Sequence, residues 1–360
     1  MATELLTRIR SPASAEFWNP ETDDRLLCID VHDETHDVKS FTFVSPDHKQ
    51  FSFRAGQYFM FEVGLDNEDD GRCYSVSSSP LRKNAITITV KRVPGGRVSN
   101  WLHDNLTPNL VVHASGPLGR FVRPAAKKYL FLSGGSGITP VMSMARELAD
   151  ASEPTDVIFV HAGRSPQDLI FRNELSNLAS RVKGFRLHLL PEDIGNERSW
   201  PGLSGRISKE FLSLAVPDIA DRVVMCCGPA PFMTAARKIS AELGVPASNY
   251  HEESFDVAVV DEAPAPVAEA AETRSFSVQF SKQGKSIDVR ADQTVLSCAK
   301  KSGVRIPSSC ANGICGTCKS KLVSGTVDMK HDGGIRQREI ETGFFLPCCS
   351  KPLSDLVIDR

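Results

Sequence analysis

The sequence predicts three domains: an antiparallel β-barrel, an α/β domain on a parallel sheet and a small α+β domain. Short strands separated by turn residues fill the first third of the chain, and strands alternating with helices fill the middle. A segment rich in Ala, Pro and Glu separates the last part from the rest, and 360 residues suffice for two or three domains. The predicted divisions are an N-terminal extension at 1–23, the barrel at 24–125, the α/β domain at 126–256, a linker at 257–273 and the last domain at 274–360.

The first domain is predicted from short alternating segments within residues 25–121. These segments are separated by clusters of Gly, Pro and Asp, which is the pattern of an antiparallel barrel or sandwich. They read "LLCIDV", "SFTFV", "QYFMFEV" and "AITITVKRV".

The second domain begins where the pattern changes to strand, glycine turn and helix. The strand "KKYLFLS" precedes the turn "GGSGITP", and the helix "PVMSMARELAD" follows with Pro140 near its first turn. Strands at "DVIFVHAG", "FRLHLL" and "DRVVMCC" and a helix at "APFMTAARKISAEL" continue the alternation. This order predicts a parallel sheet with helices on both faces.

The last domain differs from the rest of the chain in charge. Residues 273–360 contain 14 Lys and Arg against 8 Asp and Glu, whereas the other 272 residues contain 28 against 36. A basic domain on an acidic body predicts charge-guided docking, either within the chain or onto a partner protein. The basic excess is modest and lacks interleaved aromatic residues, which argues against nucleic-acid binding.

Composition excludes several classes of protein. No run of about 18 apolar residues is present, so no membrane span is expected. The N-terminus lacks the apolar core of a secretory signal, which predicts a cytoplasmic protein. Ten cysteines, several adjacent or three apart, indicate metal or redox chemistry in a reducing compartment rather than a disulfide framework.

The cysteines of the last domain predict an iron–sulfur site. Cys310, Cys315 and Cys318 have C-x4-C-x2-C spacing, and a distant "CC" at Cys348 and Cys349 offers the fourth ligand. This is the plant-type [2Fe–2S] spacing, whereas zinc sites usually pair two C-x2-C knuckles. The small residues between the ligands let backbone N–H groups approach sulfur closely. Cys298, on a predicted helix, is assigned to the core.

Two motifs of the barrel suit a ligand with a flat ring and a pyrophosphate. "RCYS", at Arg72–Ser75, places a cation near a phosphate and a phenol ring beside a ring system. "GGRVSNWL" follows about 20 residues later, where Gly96 and Ser99 open a helix whose N–H groups suit a pyrophosphate.

The α/β domain carries the corresponding signals for a dinucleotide. The turn "SGGSGITP" leads from a strand into a helix N-terminus, where a phosphate is favoured. No acidic residue ends the second strand. Arg164 in "HAGRSPQD" could grip a 2′-phosphate and favour NADPH, or it could be a solvated loop residue. In "MCCGPAPFM", strand alternation lets only one of Cys226 and Cys227 face a cofactor, and the alternative is that both lie in the core on opposite sides of the sheet.

Together "RCYS", "GRVS" and "GPLG" resemble the ferredoxin–NADP reductase superfamily. The resemblance implies that Tyr74 lies along the isoalloxazine and Ser75 bonds near its reactive nitrogen, and the pyrophosphate site favours FAD over FMN. It implies positioning and polarising roles for Ser75, Cys227 and Glu253, with Phe255 covering the flavin face. The implied cofactor-binding residues are Arg72, Tyr74, Ser75, Gly96, Arg97, Val98, Ser99, Gly134, Gly135, Gly137, Thr139, Arg164, Cys227, Gly228 and Pro229.

The last domain is similar over its whole length to plant-type ferredoxins, which implies a β-grasp fold. Those proteins have a proline four residues after the final ligand, so Pro352 selects Cys348 and leaves Cys349 as a buried neighbour. The implied metal ligands are Cys310, Cys315, Cys318 and Cys348.

These sites form one circuit. NADH delivers two electrons as hydride, iron–sulfur clusters accept one at a time, and a flavin does both. The domain order resembles NAD(P)H-dependent reductase components of Rieske-type oxygenases, and the tail is most similar to reductases of glycine betaine monooxygenases, a demethylating group. Arg336 and Arg338 are predicted to meet an acidic surface of the oxygenase. The alternatives are a reductase of the hybrid-cluster protein and a redox-sensing flavoprotein.

Overall fold

The computed structural model describes residues 16–63, 71–152, 155–255, 274–304, 306, 313, 316–331 and 334–360. Within these ranges the chain forms an antiparallel sheet, a parallel sheet and a mixed sheet, in that order. The predicted fold class is therefore confirmed. None of the helices in the described ranges combines the length and hydropathy needed to cross a lipid bilayer.

The first sheet has six antiparallel strands in the order β4-β3-β6-β1-β2-β5. A bridge between Val76 and Ile88 joins its two outer strands and closes it into a barrel. Phenylalanine side chains from β2 and β3 fill the interior, and Trp18 packs with them and donates from Nε1 to the Gly116 carbonyl at 2.9 Å. The strands are β1 Arg25–Thr35, β2 Val38–Val44, β3 Tyr58–Glu62, β4 Gly71–Ser75, β5 Ile86–Lys91 and β6 Val111–Leu118, with helix α1 Arg97–Asn105 between the last two.

The second sheet has five parallel strands in the order β11-β10-β7-β8-β9, with an apolar core on each face. Parallel strands need crossover connections, and here helices supply most of them. The sequence did not predict β11, α3 or α4. The elements are β7 Lys128–Gly134, α2 Ile138–Ala151, β8 Asp156–Gly163, α3 Arg172–Arg181, β9 Phe185–Pro191, α4 Lys209–Ala215, β10 Val223–Cys227, α5 Ala230–Glu242 and β11 Tyr250–Glu253.

The barrel and the parallel sheet share one of these cores. Val38, Ala55 and Phe121 of the barrel pack into the cluster beneath α2. Arg146 of α2 donates to the Ser77 carbonyl at 2.7 Å, and Ser143 donates to the Ser78 carbonyl at 2.7 Å. These contacts fix the strand ends of the two domains relative to each other.

The third domain is a mixed sheet in the order β13-β12-β18-β14-β16, with β15 and β17 paired beside it. Cys298 on α6 is buried in its core, as predicted. The elements are β12 Ser275–Phe280, β13 Lys285–Arg290, α6 Val295–Lys301, β14 Ser320–Ser324, β15 Val327–Met329, α7 Gln337–Glu341, β16 Phe344–Phe345, β17 Ser350–Pro352 and β18 Leu356–Asp359.

Arg222 is a fully buried cation directly before strand β10, which lies between β11 and β7 in the sheet. Its Nε donates to Asp218 Oδ1 at 2.7 Å, its Nη2 to Asp156 Oδ2 at 3.0 Å and its Nη1 to the Tyr129 carbonyl at 3.1 Å. The hydrogen bond from Arg222 lowers the pKa of Asp218 to about 2. A buried charge needs such complete pairing, so these carboxylates stabilise the sheet's amino-terminal edge.

We expect Asp218→Asn to lower the free energy of unfolding by about 1.5–3 kcal/mol at pH 7, the usual loss for a hydrogen bond to a charged group. The folded pKa lies below the ordinary value of 3.8, so the carboxylate's contribution is complete above 3.8 and disappears as pH falls towards about 2. Urea unfolding at several pH values measures the difference in unfolding free energy between the wild-type protein and Asp218→Asn, which should shrink as the pH falls. Asp221→Asn, at a side chain that is 71% exposed, is the control and should change stability little. An equal loss in both variants would contradict the assignment.

Candidate cofactor-binding site

The motif "RCYS" lies in strand β4, whose last two residues are a half-buried tyrosine packed against the barrel core and a buried serine. Tyr74 packs against Phe61 with ring centroids 6.0 Å apart, and burial raises its pKa. Ser75 is 5% exposed, and its Oγ has no hydrogen-bond partner within the described residues. Arg72 is exposed and donates to its neighbour's carbonyl. A buried hydroxyl without a partner is costly, so Ser75 Oγ suits a polar atom of a bound ligand.

The predicted pyrophosphate turn begins helix α1. Gly96 caps the helix without a side-chain hydrogen bond. The Ser99 side chain turns back and accepts from Val93 N at 3.2 Å, and a Cβ added to Gly96 would lie 2.7 Å from Ser99 Oγ. Val98 is buried in the barrel core, while Arg97 is exposed. The helix start is thus anchored by Val98 and Ser99 and presents its backbone to solvent.

Two glycine turns meet at the carboxyl ends of β7 and β10. A Cβ added to Gly137 would lie 2.4 Å from the Cys227 carbonyl oxygen, and one added to Gly228 would lie 3.1 Å from Gly134 N. Gly135 has φ +53° and open space around it. Only glycine permits this backbone contact, and it leaves a shallow cradle at the switch point of the sheet, where nucleotides bind in this architecture. Thr139 is buried just inside the helix, and its Oγ1 donates to the Ser136 carbonyl at 3.2 Å.

A row of polar side chains crosses the sheet at the same edge. Cys227 is registered with Glu253 on one side and Ser133 on the other, and Ser133 is registered with His161. Cys226 and Cys227 are both fully buried, in core clusters on opposite faces of the sheet, as strand alternation requires, and a role for Cys227 beside a cofactor stays a prediction. The row was not predicted, because it depends on strand order.

Glu253 and His161 stand at the ends of this row with perturbed pKa values. Burial raises the pKa of Glu253 to about 8, and its Oε2 has no hydrogen-bond partner within the described residues. Burial lowers the pKa of His161 to about 3, and its Nδ1 lies 2.8 Å from Ser133 Oγ. Both of these groups are therefore mainly uncharged near pH 7. Phe255, two residues past Glu253, is 43% exposed.

Arg164, at the ribose end, is paired within the protein. Its Nη2 lies 2.7 Å from Asp168 Oδ1 and 3.5 Å from Asp37 Oδ2, and Ser165 also donates to Asp168. Asp37 comes from the β1–β2 hairpin of the barrel, so the sequence did not indicate it. Two carboxylates around this arginine disfavour a 2′-phosphate and favour the free ribose of NADH.

The iron–sulfur loop is described only in part. Cys310 and Cys315 lie outside the described residues, whereas Cys318 and Cys348 are 2% and 6% exposed. Gly313 N donates to Cys348 Sγ at 3.2 Å, a bond that would stabilise a thiolate if Cys348 is a ligand as predicted. Cys349, predicted to be buried, is half-buried, and its Sγ would lie 2.7 Å from a Cβ on Gly313. The sulfur atoms of Cys348 and Cys349 therefore both lie next to Gly313 of the iron–sulfur loop.

The iron–sulfur loop faces the barrel. A Cβ added to Gly316 would lie 3.5 Å from Met60 Sδ on β3, the strand beside β4. Arg336, assigned from the sequence to a partner-docking face, is 9% exposed and donates from Nη2 to the Asp23 carbonyl at 3.4 Å. Arg338, two residues later, is exposed. Arg336 is therefore largely buried at a contact within the chain, whereas Arg338 remains accessible.

The described residues fit the three predicted groups. The barrel supplies an unpartnered buried hydroxyl beside a half-buried tyrosine ring, the parallel sheet supplies a glycine cradle, and the third domain supplies buried thiols beside backbone N–H groups. The segment just after β4 contacts α2 of the parallel-sheet domain through Ser77 and Ser78, and β3, the strand beside β4, contacts the iron–sulfur loop through Met60.

Three family models match the chain in the same order. The oxidoreductase FAD-binding domain matches residues 26–122, the oxidoreductase NAD-binding domain matches 131–238, and the 2Fe-2S iron-sulfur cluster binding domain matches 278–353. The predicted oxidoreductase activity and its cofactors, FAD, NADH and a [2Fe–2S] cluster, are thereby confirmed.

Curated relatives and a solved structure match nearly the whole chain. The glycine betaine monooxygenase reductase subunit of Pseudomonas aeruginosa is 43% identical, covering 96% of this chain and 100% of its own. The stachydrine N-demethylase reductase subunit of Rhizobium meliloti is 38% identical, covering 95% and 98%. Phthalate dioxygenase reductase, a modular structure for electron transfer from pyridine nucleotides to [2Fe–2S], is 28% identical with a TM-score of 0.57, covering 95% and 100%. The protein therefore belongs to the ferredoxin–NADP reductase superfamily, among the oxygenase reductases that carry a C-terminal [2Fe–2S] domain.

Proposed function

We propose that this protein is the reductase component of a Rieske-type oxygenase that demethylates glycine betaine or a related quaternary amine. The observation that carries the proposal is the end-to-end similarity, at 43% identity, to a glycine betaine monooxygenase reductase subunit. The similarity to a stachydrine N-demethylase reductase subunit supports the same class of reaction. The oxygenase performs the substrate chemistry, and this chain supplies its electrons.

The proposed FAD site lies on the barrel. Tyr74 would pack along the ring system, and Ser75 Oγ would donate to it and so gain the hydrogen bond that it lacks within the protein. Arg72 and Arg97, both exposed cations, would pair with the pyrophosphate at the start of α1. Gly96, Val98 and Ser99 hold that helix start in place.

The proposed NADH site lies in the cradle of Gly134, Gly135 and Gly137, with Thr139 fixing the turn and Gly228 and Pro229 forming the opposite wall. When bound, NADH supplies an electron pair, FAD divides it, and the [2Fe–2S] cluster passes single electrons on. Cys227 would contact the nicotinamide, Phe255 would cover the flavin face, and Arg164 would border the ribose.

Glu253 is proposed to hold a proton beside the reacting rings. Its buried carboxyl is protonated below about pH 8, so near neutral pH it would donate a hydrogen bond to a bound cofactor. A neutral carboxyl avoids placing a negative charge next to an electron-rich flavin.

The predicted domain divisions, with a linker at 257–273, remain part of the same proposal.

The proposed oxygenase role is tested by offering two acceptors to the NADH-reduced protein under anaerobic conditions. We expect rapid oxidation by a glycine betaine-type Rieske oxygenase and slow oxidation by a hybrid-cluster protein. Stopped-flow absorbance of the flavin and the cluster follows both reactions. Preference for the hybrid-cluster protein would replace the proposed partner with the alternative one.

Replacing Glu253 with Gln should remove a pH dependence from both the stability and the NADH–dye reductase rate of the protein. Because the folded pKa of about 8 exceeds the ordinary value of 4.5, the wild-type protein loses stability as pH rises from 4.5 through about 8. The variant has no such loss, and its NADH–dye reductase profile should lack a transition near pH 8. Thermal unfolding measures the pH dependence of stability, and steady-state assays measure that of the NADH–dye reductase rate. Both are recorded between about pH 6 and 9.5 in steps of about half a pH unit. A transition that persists in Glu253→Gln would assign it to another group.

The fourth cluster ligand is tested with matched cysteine variants. We expect Cys348→Ser to lose the [2Fe–2S] absorbance and iron, because Cys348 is the buried thiol that accepts from Gly313 N. Cys349→Ser should retain the cluster. Iron content, visible spectra and NADH–dye activity, which needs only the flavin, provide the readouts. The opposite pattern would identify Cys349 as the ligand.

The exposed Arg338 is the residue we expect to meet the oxygenase. Arg338→Glu should slow electron transfer to the oxygenase about tenfold at low salt and less at high salt, because exposed charges act mainly on association. NADH–dye activity should not change. Lys282→Glu is the control. Lys282 lies on the turn between β12 and β13, the strands at one end of the sheet, whereas β16 is at the other end. Equal slowing in both variants would mean a general charge effect.

A further inference from the structure

We propose that Lys319 is a positioning residue for electron transfer within the chain, because it holds the iron–sulfur loop against the FAD domain. Its ammonium bridges Glu339 of its own domain and Glu62 of the barrel. The proposal rests on the cofactor order FAD to [2Fe–2S] and not on the identity of the oxygenase.

The bridge is asymmetric. Lys319 Nζ lies 2.7 Å from Glu339 Oε1 and 3.8 Å from Glu62 Oε1, and its side chain is 20% exposed. Glu339 is itself fixed, because its Oε2 accepts from Arg336 N at 2.8 Å. The third domain therefore presents a rigid cation, and the barrel contributes a carboxylate that is 53% exposed.

Lys319 is also part of the iron–sulfur loop. It directly follows Cys318, and its backbone N donates to the Gly316 carbonyl at 3.0 Å. Gly316 has φ +74°, and a Cβ there would lie 2.5 Å from the Gly334 carbonyl oxygen and 3.5 Å from Met60 Sδ. The loop thus rests on Met60, and Lys319, directly before strand β14, pairs with Glu62, two residues along β3.

The contact point adjoins the FAD strand. Met60 is registered with Cys73, the residue between Arg72 and Tyr74 on β4. Any displacement of Lys319 from Glu62 therefore moves the iron–sulfur loop away from the strand that carries the flavin ring. Electron transfer between the two groups depends on that separation.

A second contact supports the same orientation. Arg336 donates to the Asp23 carbonyl, and Asp24 and Glu21 are near enough to act on its charge. The third domain thus turns Lys319 and Arg336 towards an acidic edge of the barrel. The basic excess of residues 273–360 and the acidic excess of the rest meet here.

The bridge is suited to reversible docking. An ion pair with one exposed member is weak and is screened by salt, so the domain can leave the barrel. Its role is to raise the docked fraction, and removing it should lower the rate of cluster reduction in proportion.

The test uses Glu62→Lys in the full-length protein loaded with FAD and cluster. Glu62 is on the barrel surface and outside the proposed cofactor sites, so FAD and iron contents serve as loading checks. After mixing with NADH under anaerobic conditions, we expect cluster reduction to slow at least fivefold, the factor for about 1 kcal/mol. Small-angle X-ray scattering of the oxidised protein should show a larger radius of gyration. About 0.5 M salt should move the wild-type protein in the same direction.

Asp33→Lys is the matched control, because it makes the same charge change at a barrel side chain that is 77% exposed and lies on the β1–β2 hairpin. It should alter neither readout. Glu62→Gln, which removes the pair without repulsion, should give a smaller change of the same sign. An unchanged rate of cluster reduction or an unchanged radius of gyration in Glu62→Lys would overturn the proposal. Failure of the oxygenase assignment would instead leave this internal step intact and abolish only transfer to the oxygenase.

Discussion

The site depends on one backbone contact, the meeting of two turns at the carboxyl ends of β7 and β10. Gly137 touches the peptide that joins Cys227 to Gly228, and any side chain there would collide with it. Because the turns touch, the first turn of α2 points over the sheet edge and Cys227 lies in register with Glu253 and Ser133. The shared core beneath α2 then sets the barrel against the same edge.

Much of the fold could be predicted because its signals are local. Strand alternation, the glycine turn and the cysteine spacing each occupy fewer than about 15 residues, and each led to the correct element or cofactor class. The elements that were missed, α3, α4 and β11, have weaker periodicity and are defined by packing on the sheet. Strand β11 is four residues long and forms only because β10 offers an open edge.

The sequence proposed individual site residues, but it could not indicate how they pair in the structure. Arg164 was found in the sequence, whereas Asp37, which comes from another domain, became visible only in the structure. The basic charge of the third domain indicated docking, yet the buried position of Arg336 depends on the orientation of α7 relative to the barrel. Such long-range contacts are set by tertiary structure, and composition indicates only the sign of the charge on each domain.

The junction between the third domain and the barrel has an evolutionary consequence. In the described part of the chain it consists of an ion-pair bridge, an arginine on a carbonyl oxygen and a methionine sulfur beneath a glycine. Contacts of this kind tolerate replacement of one module by another, provided that the newcomer offers a cation next to its redox loop. Gene fusion or recombination could therefore attach the same flavin unit to different carriers without redesigning either core.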